Sequence, residues 1–387
     1  MTSLTTPRLF ALAAASAVVT ANAYYIHPIV APVAADFGIG PAMIGVVPAA
    51  NQIALALGIL LFLPLGDRIP NRKLATGFVA AQAVALFLMA WAEDFRLFAV
   101  GSTLLGLFTI TPYLLPAYVS KRIPPARLGY ATAVLTTGII AGILLARVGA
   151  GAIAEYIGWR LVYWIAAALM LVTTVLLPLV MDAGERRERA GQTPYLTLLA
   201  SLPSLAKRFP HVIMSGGIQA LNFGIFLSVW LGIGLHLPAI GYGTDVVGAL
   251  AALALVNLVT TPKLGAWSDR IGPRRARLRI AMMQLAGVAL LGISGGSLVA
   301  LIVPLILMNV AGPVIDVTGR MTFLNEEPDV RTRLMTIFII MMFLGAGIAS
   351  WAGTAAYALA GWSGTTGLAL LLSAGVSLLS WQAMRTG

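Results

Sequence analysis

An acid and a guanidinium, Asp316 and Arg320, stand four residues apart in a stretch that is otherwise apolar. At that spacing they share one helix face and can pair. A carboxylate held among apolar residues can load and release a proton; the alternative is a static ion pair that pins its helix. A second guanidinium, Arg147, lies in another apolar run 20 residues beyond Arg127, which is about 30 Å along a helix. No acid in the first half of the chain sits at that depth, so its planar fork of donors suits either a ligand bearing negative charge or an acceptor, or the carbonyls of a broken neighbouring helix. His27 is followed by Pro28 and preceded by Asn22, Tyr24 and Tyr25. That group lines a pocket or packs as a buried histidine. Lys263 follows Thr260, Thr261 and Pro262 near the end of an apolar run, where its stem can reach a polar interface. His236 belongs at the opposite rim.

These residues are informative because the rest of the chain is so apolar. Of 387 residues 59% are hydrophobic and 10% charged, against about 25% charged in soluble domains. A soluble fold this poor in charge could not cover its surface. The chain reads as an all-α integral membrane protein in a lipid bilayer, where a charge at mid-depth costs at least about 2.5–3.5 kcal/mol and needs a reason. The absence of cysteine excludes disulfides and thiolate metal sites. No cofactor or metal is implied.

A membrane helix needs roughly 20 apolar residues, and twelve such runs are present, with cores near 9–33, 43–66, 73–92, 96–119, 128–154, 160–181, 211–236, 243–266, 278–295, 297–323, 334–360 and 363–383. Between the sixth and seventh lies one long polar stretch. The expected organisation is therefore a six-helix unit over 1–182, a linker over 183–209 and a second six-helix unit over 210–387. In the linker Leu196, Leu199, Leu202 and Leu205 recur beside Lys207 and Arg208, which fits either a helix lying on the inner leaflet or a packed turn.

The loops on one side, with the termini and linker, hold twenty Lys and Arg; those on the other hold only Arg96 and Arg160. By the positive-inside rule both termini are cytoplasmic. The net charge of +11 is then a topological signal, and nucleic acid is not a partner.

After the second run the chain reads Gly66, Asp67, Arg68, Ile69, Pro70, Asn71, Arg72, Lys73. After the eighth it reads Gly265, Ala266, Trp267, Ser268, Asp269, Arg270, Ile271, Gly272, Pro273, Arg274, Arg275. Asp67 and Asp269 are 202 residues apart, so the two halves repeat, a pattern of secondary transporters. At a helix end such a carboxylate can accept from a neighbouring helix N-terminus while the arginines bridge to its partner.

The second copy resembles the G-x-x-x-D-R-x-G-x-R-R signature of the major facilitator superfamily. The first departs from it, with Leu63 and Pro70 at the glycine positions. Tyr24 to Pro28, Pro124 to Gly129, and Gly158 to Arg160 are similar to segments of the bacterial drug:proton-antiporter-like branch, with Ile26 and His27 in place of Asn-Gln. The resemblance implies two pseudo-symmetric six-helix bundles in the inner membrane of a bacterium, with spans one, two, four, five, seven, eight, ten and eleven around a cavity. Taken with the residue arguments above, it makes Arg147, His27, Tyr25, Asn22, Asn51, Gln52, Gln219, Asn222 and Asn257 the candidate substrate contacts, Asp316 and Arg320 the candidate proton-coupling pair, and Asp67, Arg68, Asp269, Arg270 and Gly265 the candidate conformational gate. Gln284 in span nine has no role in that scheme. Gly138, Gly142, Gly149 and Gly151 in span five, and Gly345, Gly347 and Gly353 in span eleven, allow close helix contact.

The expected function is a monomeric secondary carrier that moves a small organic molecule by alternating access, exporting it against protons. The other reading is a proton-coupled importer of an organic anion, suggested by the cationic interior. An enzyme would need a carboxylate or histidine cluster at the interface, a channel repeated charge rings, and an ATP-driven pump a Walker A loop. The sequence has none of these.

Overall fold

The protein was analysed as a computed structural model that describes residues 4–182, 195–323, 326 and 328–385. Linker residues 183–194, and the basic cluster read there, lie outside the described residues, as does the side chain of Asp67. All regular structure among the described residues is helical, as lipid demands of a chain whose backbone groups must find partners within their own segment.

Among the described residues eleven helical runs are long and apolar enough to cross a membrane. The last, Arg333–Arg385, has 53 residues and at 1.5 Å per residue is more than twice the thickness of a bilayer. It is two helices: Ala360 and Gly361 leave helical geometry, Gly361 with φ of 57°. That positive φ is one a glycine adopts readily. The twelve expected spans are therefore present, each within a few residues of its predicted core.

Several spans are interrupted. Span one is a helix Thr6–Ala21 and a helix Ile26–Asp36, separated at Asn22 to Tyr25. Span four breaks between Phe95–Phe108 and Thr111–Ser120. Span eight runs Thr244–Leu250, a 3-10 segment Ala251–Val256, then Asn257–Ile271. Proline explains the second break, since Pro112 has no N–H to offer the Phe108 carbonyl four residues earlier. The polar stretch ends in a helix, Tyr195–Arg208, with Lys207 and Arg208 in its last turn. This is the helical alternative, and its basic end complements the helix dipole.

By contacts the chain forms two compact units, Met1–Val33 with Ala50–Tyr195 and Gly243–Ala249, and Ala34–Ala49 with Leu196–Tyr242 and Leu250–Gly387. Each half of the sequence thus contributes one short segment to the compact unit of the other. In the first unit span one packs on span five, and span three on span six. In the second, span seven packs on the run holding spans eleven and twelve, and span nine on span ten.

Glycine sets the tightest of these contacts. A side-chain carbon at Gly142 would meet the backbone carbonyl of Ala17, and one at Gly345 would meet Ala220, so span five approaches span one as span eleven approaches span seven. Gly149 faces open space, so the expectation that it too mediates contact does not hold. Gly142→Leu should cost about 1–3 kcal/mol by overpacking and lower the thermal midpoint of the purified protein, whereas Gly77→Ala, into open space within a helix, should leave it unchanged or raise it, by about 0.5–1 kcal/mol of helix propensity. Equal midpoints for both variants would show that spans one and five do not need this approach.

Candidate functional site

The break in span one places Tyr24 and His27 together. Their rings meet edge to face at 5.4 Å, and Arg147, from span five, comes to both. Its Nη2 lies 2.8 Å from His27 Nδ1, and its guanidinium carbon is 5.6 Å from the Tyr24 ring centre. Arg147 and His27 are buried, at 2% and 1% exposure. With a guanidinium nitrogen facing it, His27 Nδ1 is the acceptor, which places the ring proton of a neutral His27 on Nε2. The aromatic neighbour of Arg147 is thus Tyr24. Tyr25, which the sequence suggested, turns the other way and packs its ring on Tyr163 of span six at 6.5 Å. Consecutive residues do not share a helix face, so the adjacent tyrosines serve different neighbours.

Below the break, Asn22 Nδ2 donates to Gln82 Oε1 at 3.2 Å, and Gln82 Nε2 donates to the Phe108 carbonyl at 2.8 Å. Asn51 of span two donates to the Ser102 carbonyl of span four at 2.8 Å. Gln52 is buried beside it, and its Oε1 has no hydrogen-bond partner among the described residues.

In the second unit Gln219 and Asn222 lie on span seven. Asn222 Nδ2 donates to Gln219 Oε1 and to the Gly312 carbonyl of span ten, both at 3.0 Å. Its Oδ1 accepts from Gln284 Nε2 of span nine at 2.7 Å. Gln219 Nε2 reaches Met342 Sδ at 3.3 Å. One turn beyond Gly312, Asp316 Oδ2 accepts from Arg320 Nε at 2.8 Å, the pair half-buried at 24% and 29% side-chain exposure. Arg320 also donates to Met335 Sδ at 3.1 Å and faces the Phe338 ring at 5.1 Å. Span eleven therefore presents Met335, Phe338 and Met342 to this cluster, a face that its uniformly apolar sequence concealed. Asn257 is half-buried at the start of the last segment of span eight.

At the basic loops Arg68, Asp269 and Arg270 are exposed, and Gly265 has open space where a side chain would go. Lys263 is exposed. His236 stacks on Trp362 at 4.8 Å with Nε2 2.9 Å from the Gly295 carbonyl, a packing histidine. Arg277, counted in sequence among the loop cations, is instead 1% exposed and donates to Ser215 Oγ at 3.0 Å. Span nine begins at Pro273, about a turn before its predicted core, and this carries Arg277 into the helix.

Gln82 was absent from the expected site and Gln284 had no role in it. A signal for both was available: they stand 202 residues apart, the offset of Asp67 and Asp269.

Twelve spans, an internal repeat and matched polar clusters in the two halves agree with what the comparisons give. The profile of the Major Facilitator Superfamily matches residues 12–328. The chain belongs to that superfamily. It is 25% identical to Uncharacterized transporter YgaY of Escherichia coli O157:H7 over 89% of this chain and 87% of that protein. It is 27% identical to Multidrug resistance protein MdtG of Dickeya zeae (strain Ech586), over 59% of this chain and 56% of that one. The fold matches a bacterial homolog of the human lysosomal transporter Spinster, with a TM-score of 0.80 at 14% identity over 98% of this chain and 97% of that one. As a superfamily member the protein is a multi-pass membrane transporter and not an enzyme.

A double-mutant cycle tests the buried contact in this transporter. His27→Ala and Arg147→Met should each alter the thermal midpoint, with a coupling of about 0.5–3 kcal/mol. A coupling of zero would mean that the 2.8 Å contact contributes nothing to the fold.

Proposed function

We propose that this superfamily member is a proton-coupled exporter of a small organic solute that works by alternating access in the inner membrane, as a monomer with both termini in the cytoplasm. The observation that carries the reading is the Asp316–Arg320 pair, an acid kept inside a span and held 2.8 Å from its cation. An acid in such a place can exchange its arginine for a proton, and that exchange is a coupling step. The export direction draws on the similarity to MdtG, a multidrug resistance protein. In this reading residues 1–182 and 210–387 are the moving halves, joined by 183–209, and the copies at Asp67, Arg68, Gly265, Asp269 and Arg270 form the gate between them. Arg147, His27, Tyr24, Tyr25, Asn22, Asn51, Gln52, Gln219, Asn222 and Asn257 supply the solute contacts.

Reconstituted proteoliposomes with an imposed pH gradient test this. Asp316→Asn should abolish uphill movement of the solute and leave exchange, and Asp269→Lys should slow transport without changing its pH dependence. If Asp316→Asn still concentrates solute with unchanged pH dependence, the acid is structural and coupling lies elsewhere.

A second reading rests on the Arg147–His27 contact: a buried guanidinium favours a ligand bearing negative charge or a strong acceptor, which suits import of an organic anion. Thermal-shift screening with organic anions, cations and neutral amphiphiles separates the two. For the anion reading Arg147→Ala should weaken binding about tenfold or more, Arg147→Lys should restore it in part, and Lys263→Ala should have little effect. A screen that returns only hydrophobic cations, with affinity indifferent to Arg147→Ala, would leave the exporter of lipophilic compounds.

A further inference from the structure

Each half carries a buried amide chain on the corresponding three helices, with asparagine and glutamine exchanging the carbonyl-bonded place. In the first, amides of spans one and three lead to a carbonyl of span four: Asn22 donates to Gln82, and Gln82 to the Phe108 carbonyl. In the second, amides of spans nine and seven lead to a carbonyl of span ten: Gln284 donates to Asn222, and Asn222 to the Gly312 carbonyl. Asn222 stands 200 residues after Asn22, Gln284 202 after Gln82 and Gly312 204 after Phe108. The repeat therefore includes the polar links as well as the helices. The two glutamines are 0% and 2% exposed, and their helices carry none of the charged residues of the proposed site.

What the amides hold is the pliable part of each half. Pro112 leaves the Phe108 carbonyl without its helical donor, and the helix breaks at Thr109 and Ile110. Asn22 closes the first segment of span one. Gln82 thus ties together two helix breaks, one of them five residues from His27. In the second half Pro313 sits in span ten beside the carbonyl that Asn222 engages, and Asp316 follows one turn later. Buried amide links of this kind fix one register among the helices they join, with Asn22 Oδ1 and Gln284 Oε1 left without a hydrogen-bond partner among the described residues.

We propose that Gln82 and Gln284 are positioning residues of the carrier: Gln82 joins the first and fourth helices of its half at the breaks beside His27 and Arg147, and Gln284 fixes the Asn222 amide that joins span seven to span ten one turn before Asp316. The proposal rests on the site reading above for what is positioned, but not for the links themselves.

Because the chain has no cysteine, single reporters show the loosening directly. Ala23→Cys, at the span-one break, and Ala311→Cys, beside Gly312, replace residues 8% and 0% exposed. N-ethylmaleimide labelling in membrane vesicles should be slow for both. Gln82→Met, which keeps length without the amide, should speed labelling at Ala23→Cys by about tenfold and leave Ala311→Cys unchanged; Gln284→Met should do the converse. If Gln82→Met does not accumulate, Gln82→Leu, which also removes the amide at similar size, should give the same pattern. Unchanged labelling, or a rise at both reporters from either variant, overturns the proposal, the latter because it reports general unfolding. The labelling needs no transported solute, so its failure is distinguishable from failure of the Asp316 reading, which only the proteoliposome assay can show.

Discussion

Hydrocarbon supplies no hydrogen-bond partner, so a polar group buried in a span depends on the protein for one. That constraint explains where the polar residues are. The amides of Asn22, Gln82, Asn222 and Gln284 join one another and backbone carbonyls. Threonines and serines within the spans bond back to carbonyls one turn earlier, as Thr173 does to Leu169 and Thr318 to Val314. The charged residues retained at depth have contacts as specific: Arg147 with His27, Arg320 with Asp316 and methionine sulfur, Arg277 with Ser215.

The same constraint makes the breaks in spans one, four and eight meaningful. A broken helix exposes carbonyls that lipid cannot satisfy, so a break persists only where protein surrounds it. In the first half one fully buried glutamine serves two breaks. In the second half span ten remains continuous through Pro313, and the helical carbonyl beside it takes the asparagine instead. The repeat is thus conserved in its heights and in the helices it joins, while asparagine and glutamine exchange roles within it.

Much of this was legible in the sequence, for reasons that can be stated. Span number followed from apolar length and the bounding charges, and the Asp316–Arg320 pair from a four-residue spacing, because both depend on local periodicity alone. Close contact at Gly142 and Gly345 could be expected from small residues on one helix face. Tyr24 rather than Tyr25 beside His27 was legible in the spacing, because residues three apart share a helix face and residues two apart do not. Arg277 was read as a loop cation because span nine starts at Pro273, and a sequence run with three nearby arginines does not reveal its boundary. Gln82 escaped notice because the search for polar residues followed the helices expected around a cavity, and span three was not among them. Asking which polar residues obey the 202-residue offset would have found it.

The turn at Ala360 and Gly361 has a consequence for how the chain enters the bilayer during synthesis. From Leu334 to Met384 there is no charged residue, so the translocation machinery meets one uninterrupted apolar stretch with no polar loop to mark where one crossing ends. Gly361 supplies the reversal, and a side chain at Gly364 would meet the Ala356 carbonyl across it, so the two arms touch from the first turn after the bend. The arms are anchored by Arg331 and Arg333 at one end and Arg385 at the other, both on the same face of the membrane if they obey charge asymmetry. The bend at Gly361 is therefore what divides one uninterrupted apolar stretch into two crossings.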